Sequence, residues 1–207
     1  MNWESVKQTM AEMDRLGLRY SVKVEVHPEP SQKDLMQLAH HEAGHAAAAA
    51  LLRGLRGVTG LELSDFGSGA LCGEDSLKDP VESLAGPWAE ARYAGKRFDF
   101  VSLWIEDEDR FALDWEHTLD GKPEDMTLAA WFHRHEQRTA RLMGAAGMWE
   151  QVCDCATCLM AAPLDKKGRR FLPVESLRRI FAPAARARKR RRKARHEHGP
   201  GPAHDHD

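Results

Sequence analysis

The stretch Leu38–Ala49, LAHHEAGHAAAA, decides both the fold and the chemistry expected of this 207-residue chain. A serine suited to cap a helix precedes it, and the small and apolar residues around it predict one helix over residues 31–52. Side chains four residues apart lie on one helical face, so His41 and His45 can bind one ion through their imidazoles. Glu42 lies beside them, where a carboxylate can take a proton from a metal-bound water.

Zinc is the metal that this HExxH motif predicts. Two histidines with a carboxylate and one open coordination position form a hydrolytic zinc site. The alternative is a motif that arises by chance among 11 histidines. A position in mid-helix, with apolar neighbours and a helix-destabilising glycine between the two histidines, favours the metal site. The adjacent His40 points elsewhere on the helix and is predicted to be a surface residue or a support to the ligands.

The pattern on either side of this helix predicts an α+β fold, mostly helical, with a small β-sheet beside the HExxH helix. Strands are predicted over residues 58–63 and 69–72, because a Gly-containing turn joins two short apolar runs. Before the motif, residues 2–17 have helical spacing and residues 20–27 alternate like a strand. Further helices are predicted over residues 80–95, 107–119, 127–158 and 173–181.

The net charge of −2 conceals an uneven distribution. Eight of the ten residues 186–195 are Lys or Arg, and residues 186–207 carry eight basic and three acidic side chains. The final stretch, HEHGPGPAHDHD, has no apolar side chain large enough to pack. The sequence therefore predicts a folded domain at 1–183 and a disordered, basic and His-rich tail at 184–207. Its charge predicts weak contact with nucleic acid or another polyanion, with a purely solubilising tail as the alternative.

Composition excludes several classes of protein. Small or apolar runs such as Ala46–Leu52 are far shorter than the roughly 20 residues of a membrane span. The N-terminus lacks the pattern of a signal peptide, so we expect a cytoplasmic protein. Four cysteines are too few for a disulfide scaffold. Cys153, Cys155 and Cys158 form a CxCxxC cluster that leaves open a second metal site, a redox pair or plain reduced thiols.

Three stretches, in order, resemble the FtsH-type zinc metallopeptidases, the protease half of the AAA+ membrane proteases. Residues 39–46, AHHEAGHA, match the HEAGHA signature of that family. Residues 57–73, GVTGLELSDFGSGALCG, resemble the pair of short strands that follows the active-site helix. Residues 84–96, LAGPWAEARYAGK, resemble the next helix of the family. The resemblance covers about residues 31–120.

The resemblance implies a third zinc ligand, an aspartate at the start of a later helix. The matching region is the acidic run at residues 106–109, EDED. Asp109 is the predicted ligand, with Asp107 and Glu108 as alternatives. The competing interpretation is that these acids only favour a helix N-terminus through the helix dipole. Glu90 resembles the family's helix carboxylate and is implied to orient a ligand histidine from behind.

The activity that the resemblance implies is zinc-dependent hydrolysis of peptide bonds in unfolded or flexible polypeptides, with Glu42 as the general base on zinc-bound water. An exposed edge of the strand at 58–63 or at 69–72 would hold the substrate as an added strand. The sequence has no GxxxxGK[ST] phosphate loop, so it predicts a stand-alone peptidase domain. Any unfoldase that acts with it would be a separate protein. The alternative is a catalytically weak or inactive zinc-binding regulatory protein that binds nucleic acid or an acidic partner through its tail.

Overall fold

The computed structural model describes residues 29–73, 77 and 79–182, with positions 108 and 109 described by their backbone alone. Three sequence predictions lie outside these residues: the helix at 2–17, the strand at 20–27 and the tail at 184–207 with its basic segment 186–195. They remain predictions.

The described residues form seven helices and a three-stranded antiparallel sheet, so the α+β, mostly helical prediction is confirmed. The predicted helix over 127–158 is two helices, separated near Gly147, whose φ of 78° lies in the left-handed region. One helix, Phe100–Glu106, and one strand, Arg169–Pro173, were not predicted. The elements are α1 Gln32–Arg53, β1 Val58–Ser64, β2 Ser68–Gly73, α2 Pro80–Tyr93, α3 Phe100–Glu106, α4 Glu108–Leu119, α5 Leu128–Met143, α6 Met148–Ala161, β3 Arg169–Pro173 and α7 Val174–Ile180.

Helix α1 is the central element, and its ends are fixed by local sequence. Ser31 and Asp34 form a capping box at its start, and Gly54 ends it in the left-handed conformation. From residue 39 to residue 51 the helix is buried, enclosed by α2, α6 and the sheet. A side chain at Gly44 would collide with the backbone of Ala85 on α2, so the glycine allows these two helices to lie very close.

The sheet has the strand order β2-β1-β3. Strand β1 pairs on both sides, so the expectation that residues 58–63 offer a free edge is wrong. Among the described residues, β2 pairs with β1 alone, and β2 contacts the HExxH helix. The expected edge at 69–72 therefore remains.

An aromatic cluster holds α4 against the rest of the domain. Phe100 of α3 contacts Phe111 and Trp115 of α4 and Phe132 of α5, with ring centroids 5.7–6.2 Å apart. Trp115 also stacks on Trp104 with centroids 4.2 Å apart. These contacts fix the rotation of α4, and Asp114 lies on the same buried side of that helix as Phe111.

His135 is a buried histidine outside the motif. It packs on Trp131 of the same helix, and neither of its ring nitrogens has a hydrogen-bond partner among the described residues. Burial lowers the pKa of His135; Asp79 raises it, while Arg138 and Arg134 lower it further. A histidine whose folded-state pKa is depressed binds protons more readily when unfolded, so its stabilising effect is lost as the pH falls below about 6.5.

We expect His135→Leu to lose less stability than the parent between pH 7.5 and pH 5.5, because the substituted side chain cannot be protonated in the unfolded state. Urea unfolding in the presence of EDTA measures this directly. His133→Leu, at an exposed position on the same helix, is the control and should follow the parent. Equal pH dependence in His135→Leu and the parent would contradict the expectation.

Candidate metal centre

Two imidazoles and one carboxylate meet beneath the surface between α1 and α4. His41 Nε2 lies 3.2 Å from Asp114 Oδ2, and His45 Nε2 lies 3.4 Å from Asp114 Oδ1. All three side chains are buried, and their ligand atoms lie within 4.8 Å of one another. Among the described residues this is the one group of three or more His, Cys, Asp or Glu side chains with such a spacing.

Hydrogen bonds from behind fix the orientation of both histidine rings. His41 Nδ1 donates to Glu90 Oε2 at 2.9 Å, and His45 Nδ1 donates to the backbone oxygen of Glu82 at 2.7 Å. With each Nδ1 engaged, each Nε2 faces Asp114. This is the arrangement found around metal-ligating histidines, in which the second ring nitrogen donates to a carboxylate or a carbonyl.

Glu90 occupies the position that the resemblance implied for it, behind a ligand histidine. Its carboxylate also accepts hydrogen bonds from Gln37 Nε2 at 2.8 Å and from Arg110 Nε at 3.2 Å. Burial raises the pKa of Glu90, but its interactions with His41, Arg110 and Gln37 outweigh burial and lower it. Glu90 is therefore held as a charged acceptor for the His41 ring.

The carboxylate that joins the two histidines among the described residues is Asp114, which the sequence prediction did not name. Asp114 lies beside the histidines, whereas Asp109, Asp107 and Glu108 were the expected ligands. Asp107 caps α4 by accepting from the backbone N–H of Arg110. The side chains of residues 108 and 109 lie outside the description, but their backbone positions precede Asp114 by more than one helical turn.

A sequence signal for Asp114 exists, although the resemblance pointed elsewhere. Phe111, Asp114 and Thr118 recur at helical spacing on the buried face of α4. An aspartate on the apolar face of an amphipathic helix needs a partner, because a buried unpaired carboxylate is strongly unfavourable. That requirement favours Asp114 over Asp107, which is exposed at the start of the helix.

The pKa values of His41 and His45 are shifted in opposite directions. Burial alone would lower the pKa of His41. The charge of Asp114 and the hydrogen bonds to Asp114 and Glu90 have the larger effect and raise this pKa to about 10. Burial lowers the pKa of His45 to about 4, and the positive charge of His41 opposes protonation further. The buried carboxylates thus favour positive charge at this point of the structure.

The donor set fits zinc in type and in spacing. Zinc binds nitrogen and oxygen ligands at about 2.0–2.1 Å, so two ligand atoms of a tetrahedral site lie about 3.3–3.4 Å apart. The separations of 3.2 and 3.4 Å between the ring nitrogens and the Asp114 oxygens match that value. His41, His45 and Asp114 are therefore the residues that would hold the ion, and all three line one cavity.

Glu42 is buried beside this group, as the HExxH spacing predicts, and its carboxylate lies against Gly69 of β2. A methyl group at position 69 would come within 2.7 Å of Glu42 Oε1, so the glycine leaves room for the carboxylate. Burial raises the pKa of Glu42 to about 7, with the carboxylates of Asp114 and Glu90 adding to the effect and His41 opposing it. A carboxyl group with this pKa can both accept and return a proton near neutral pH.

A cavity of about 350 Å³ opens onto these residues. One wall is the edge of β2 from Gly67 to Leu71, and the opposite wall is α4 with Arg110, Leu113 and His117. Leu38 and Leu77 complete an apolar lining. Its size and mixed lining suit an extended segment with an apolar side chain.

The remaining sequence candidates do not join the centre. His40 is buried rather than exposed, its Nδ1 contacts the backbone oxygen of Met36 at 2.8 Å, and its ring stacks on Tyr93. Cys155 is buried and Cys158 exposed on α6, and within the described part of the chain the CxCxxC cluster forms no metal group.

Comparison of the chain with protein-family models, with curated proteins and with solved structures found no match. The interpretation of the site therefore depends on its own geometry. Of the helices described, none is long and apolar enough to cross a membrane, in agreement with the sequence prediction.

Gly86 of α2 offers a test of the centre that changes no ligand. A methyl group there would lie 2.8 Å from His41 Nε2 and closer still to the ring of His45. We expect Gly86→Ala to displace both rings and to weaken zinc binding about 10- to 100-fold, the range typical of altered ligand support. Titration against a competing chelator measures the change.

The control for Gly86→Ala is Ser83→Ala, one turn earlier on the same helix, which removes a buried hydroxyl that has no hydrogen-bond partner among the described residues. It should bind zinc as the parent does. Unchanged zinc affinity in Gly86→Ala would mean that the ion, if bound, is not held by these two ring nitrogens.

Proposed function

We propose that this chain is a zinc-dependent metalloendopeptidase, similar to the FtsH-type peptidases, that hydrolyses unfolded or flexible polypeptides. The observation that carries the proposal is the meeting of His41 Nε2, His45 Nε2 and the Asp114 carboxylate in a cavity that also contains the Glu42 carboxylate. A general base within one residue of a ligand histidine is the arrangement that HExxH hydrolases use.

The chemistry divides between the ion and the protein. Bound zinc would lower the pKa of a water toward neutrality and polarise the carbonyl of the substrate. The Glu42 carboxylate accepts a proton from the attacking water. It then passes this proton to the amide nitrogen as the C–N bond breaks. The pKa of about 7 for Glu42 suits both transfers.

The lining of the cavity supports the proposed substrate class. Within the described residues, the edge of β2 away from β1 is unpaired, and residues of β2 line the cavity. An extended polypeptide can hydrogen-bond to such an edge as an additional strand. A folded protein does not present a segment of this kind, whereas an unfolded or flexible one does. Leu38, Leu71 and Leu113 line the cavity and favour an apolar side chain next to the scissile bond.

The test uses the full chain and β-casein, a natively unfolded protein. We expect one zinc ion per chain by elemental analysis, cleavage of β-casein detected by mass spectrometry, loss of cleavage with EDTA and recovery with added zinc. Bound zinc without cleavage would favour the regulatory alternative, and absence of zinc would contradict both. A cytoplasmic location, a separate unfoldase and polyanion contact through 186–195 remain predictions.

A further inference from the structure

His117 lies one helical turn beyond Asp114 on α4 and lines the same cavity. Residues three apart lie on neighbouring positions of one helix face, so the two side chains share the wall opposite β2. The ligand atoms of His117 do not belong to the group formed by His41, His45 and Asp114. His117 therefore borders the metal centre without being part of its ligand set.

The His117 ring is less constrained than those of the two ligand histidines. His41 and His45 each have Nδ1 anchored to an oxygen atom, whereas His117 Nδ1 is buried and has no hydrogen-bond partner in the described part of the chain. An unpaired buried polar group is energetically unfavourable. An unsatisfied buried group in a folded protein calls for a structural or functional explanation.

The cavity otherwise offers few donors to a substrate oxygen. Arg110, one turn before Asp114, donates a hydrogen bond from Nε to Glu90, the carboxylate that accepts from His41. Ser68 is exposed at the turn that begins β2. Arg110 has further N–H groups besides Nε, and His117 adds to this wall a ring nitrogen that has no hydrogen-bond partner among the described residues.

We propose that His117 is a further catalytic residue, which donates a hydrogen bond to the oxygen of the scissile carbonyl as water adds to the carbon. This inference rests on the proposed peptidase function. In that step the water oxygen bonds to the carbonyl carbon, the C=O π electrons move to the oxygen, and Glu42 takes the proton. His117 keeps its own proton and stabilises the negative charge that develops, the role of an oxyanion-hole donor.

The proposal predicts a selective loss in His117→Ala. We expect kcat on a fluorogenic peptide taken from the first β-casein cleavage site to fall about 10²- to 10³-fold, the range for one oxyanion donor. KM should stay within about twofold, because the interaction forms only as the charge develops. His117→Gln, which restores an N–H donor, should recover part of the loss, and the control His133→Ala on α5 should resemble the parent.

Binding of a phosphinic peptide of the same sequence gives a readout besides activity, because its phosphinate oxygen carries the charge that the carbonyl oxygen acquires. Calorimetry on the zinc-loaded protein should show this affinity falling in His117→Ala about as far as kcat, with one zinc retained per chain. An active parent with unchanged kcat and phosphinate affinity in His117→Ala overturns the inference, as does loss of zinc or a change confined to KM. A zinc-loaded parent that neither cleaves the peptide nor binds the phosphinate overturns the proposed function and this inference together.

Discussion

The Glu42→Gln variant is expected to bind zinc as tightly as the parent and to hydrolyse peptides about 10²- to 10⁴-fold more slowly, the contribution of a general base. Glutamine has nearly the shape of glutamate, so it fills the space against Gly69 without displacing the α1 helix. Its amide cannot accept the proton of the attacking water at neutral pH. The metal ligands on either side of it are unchanged.

Two measurements separate this expectation from a loss of structure. Zinc content by elemental analysis and thermal unfolding with zinc present should both match the parent, while single-turnover cleavage of the fluorogenic peptide slows. Glu150→Gln, an exposed position on α6, is the matched control. Cleavage by Glu42→Gln at the rate of the parent would show that another group takes the proton.

Local sequence determined the part of the site carried by α1. The capping box of Ser31 and Asp34 and the glycine at position 54 lie within one chain segment. They set the two ends of the helix, and each end lies within one residue of the predicted one. Once that helix is fixed, the spacing of His41 and His45 places both rings on one face. These features need no information from distant residues, which is why the sequence predicted them.

The parts that the sequence missed depend on contacts between distant segments. Strand β3 exists because Leu172 and its neighbours pair with β1, more than 100 residues earlier. Helix α3 has seven residues, too few to show a clear period. The carboxylate that lies beside the two histidines is determined by the rotation of α4. The aromatic contact between Phe100 and Trp115 fixes that rotation. An acidic run in the sequence indicates candidate ligands, but it does not show which side of the helix faces the histidines.

Replacement of Asp114 by alanine is expected to weaken zinc binding by more than about 100-fold, because removal of a ligand costs more than the 10- to 100-fold seen on removal of a ligand's support. The loss should also appear as stability. A ligand present at 100 times its Kd stabilises the folded state by about 2.7 kcal/mol, so added zinc should raise the Tm of the parent and leave that of Asp114→Ala nearly unchanged.

Asp107→Ala and Asp109→Ala are the controls that distinguish the structure from the sequence prediction. Asp107→Ala removes the N-cap of α4, so it should lower stability by about 1 kcal/mol and still bind one zinc ion. Asp109→Ala should also bind zinc as the parent does. Loss of zinc in Asp109→Ala with retention in Asp114→Ala would restore the sequence prediction and contradict the geometry. Because the cap and the ligand affect different quantities, zinc affinity and zinc-free stability together assign each aspartate its role.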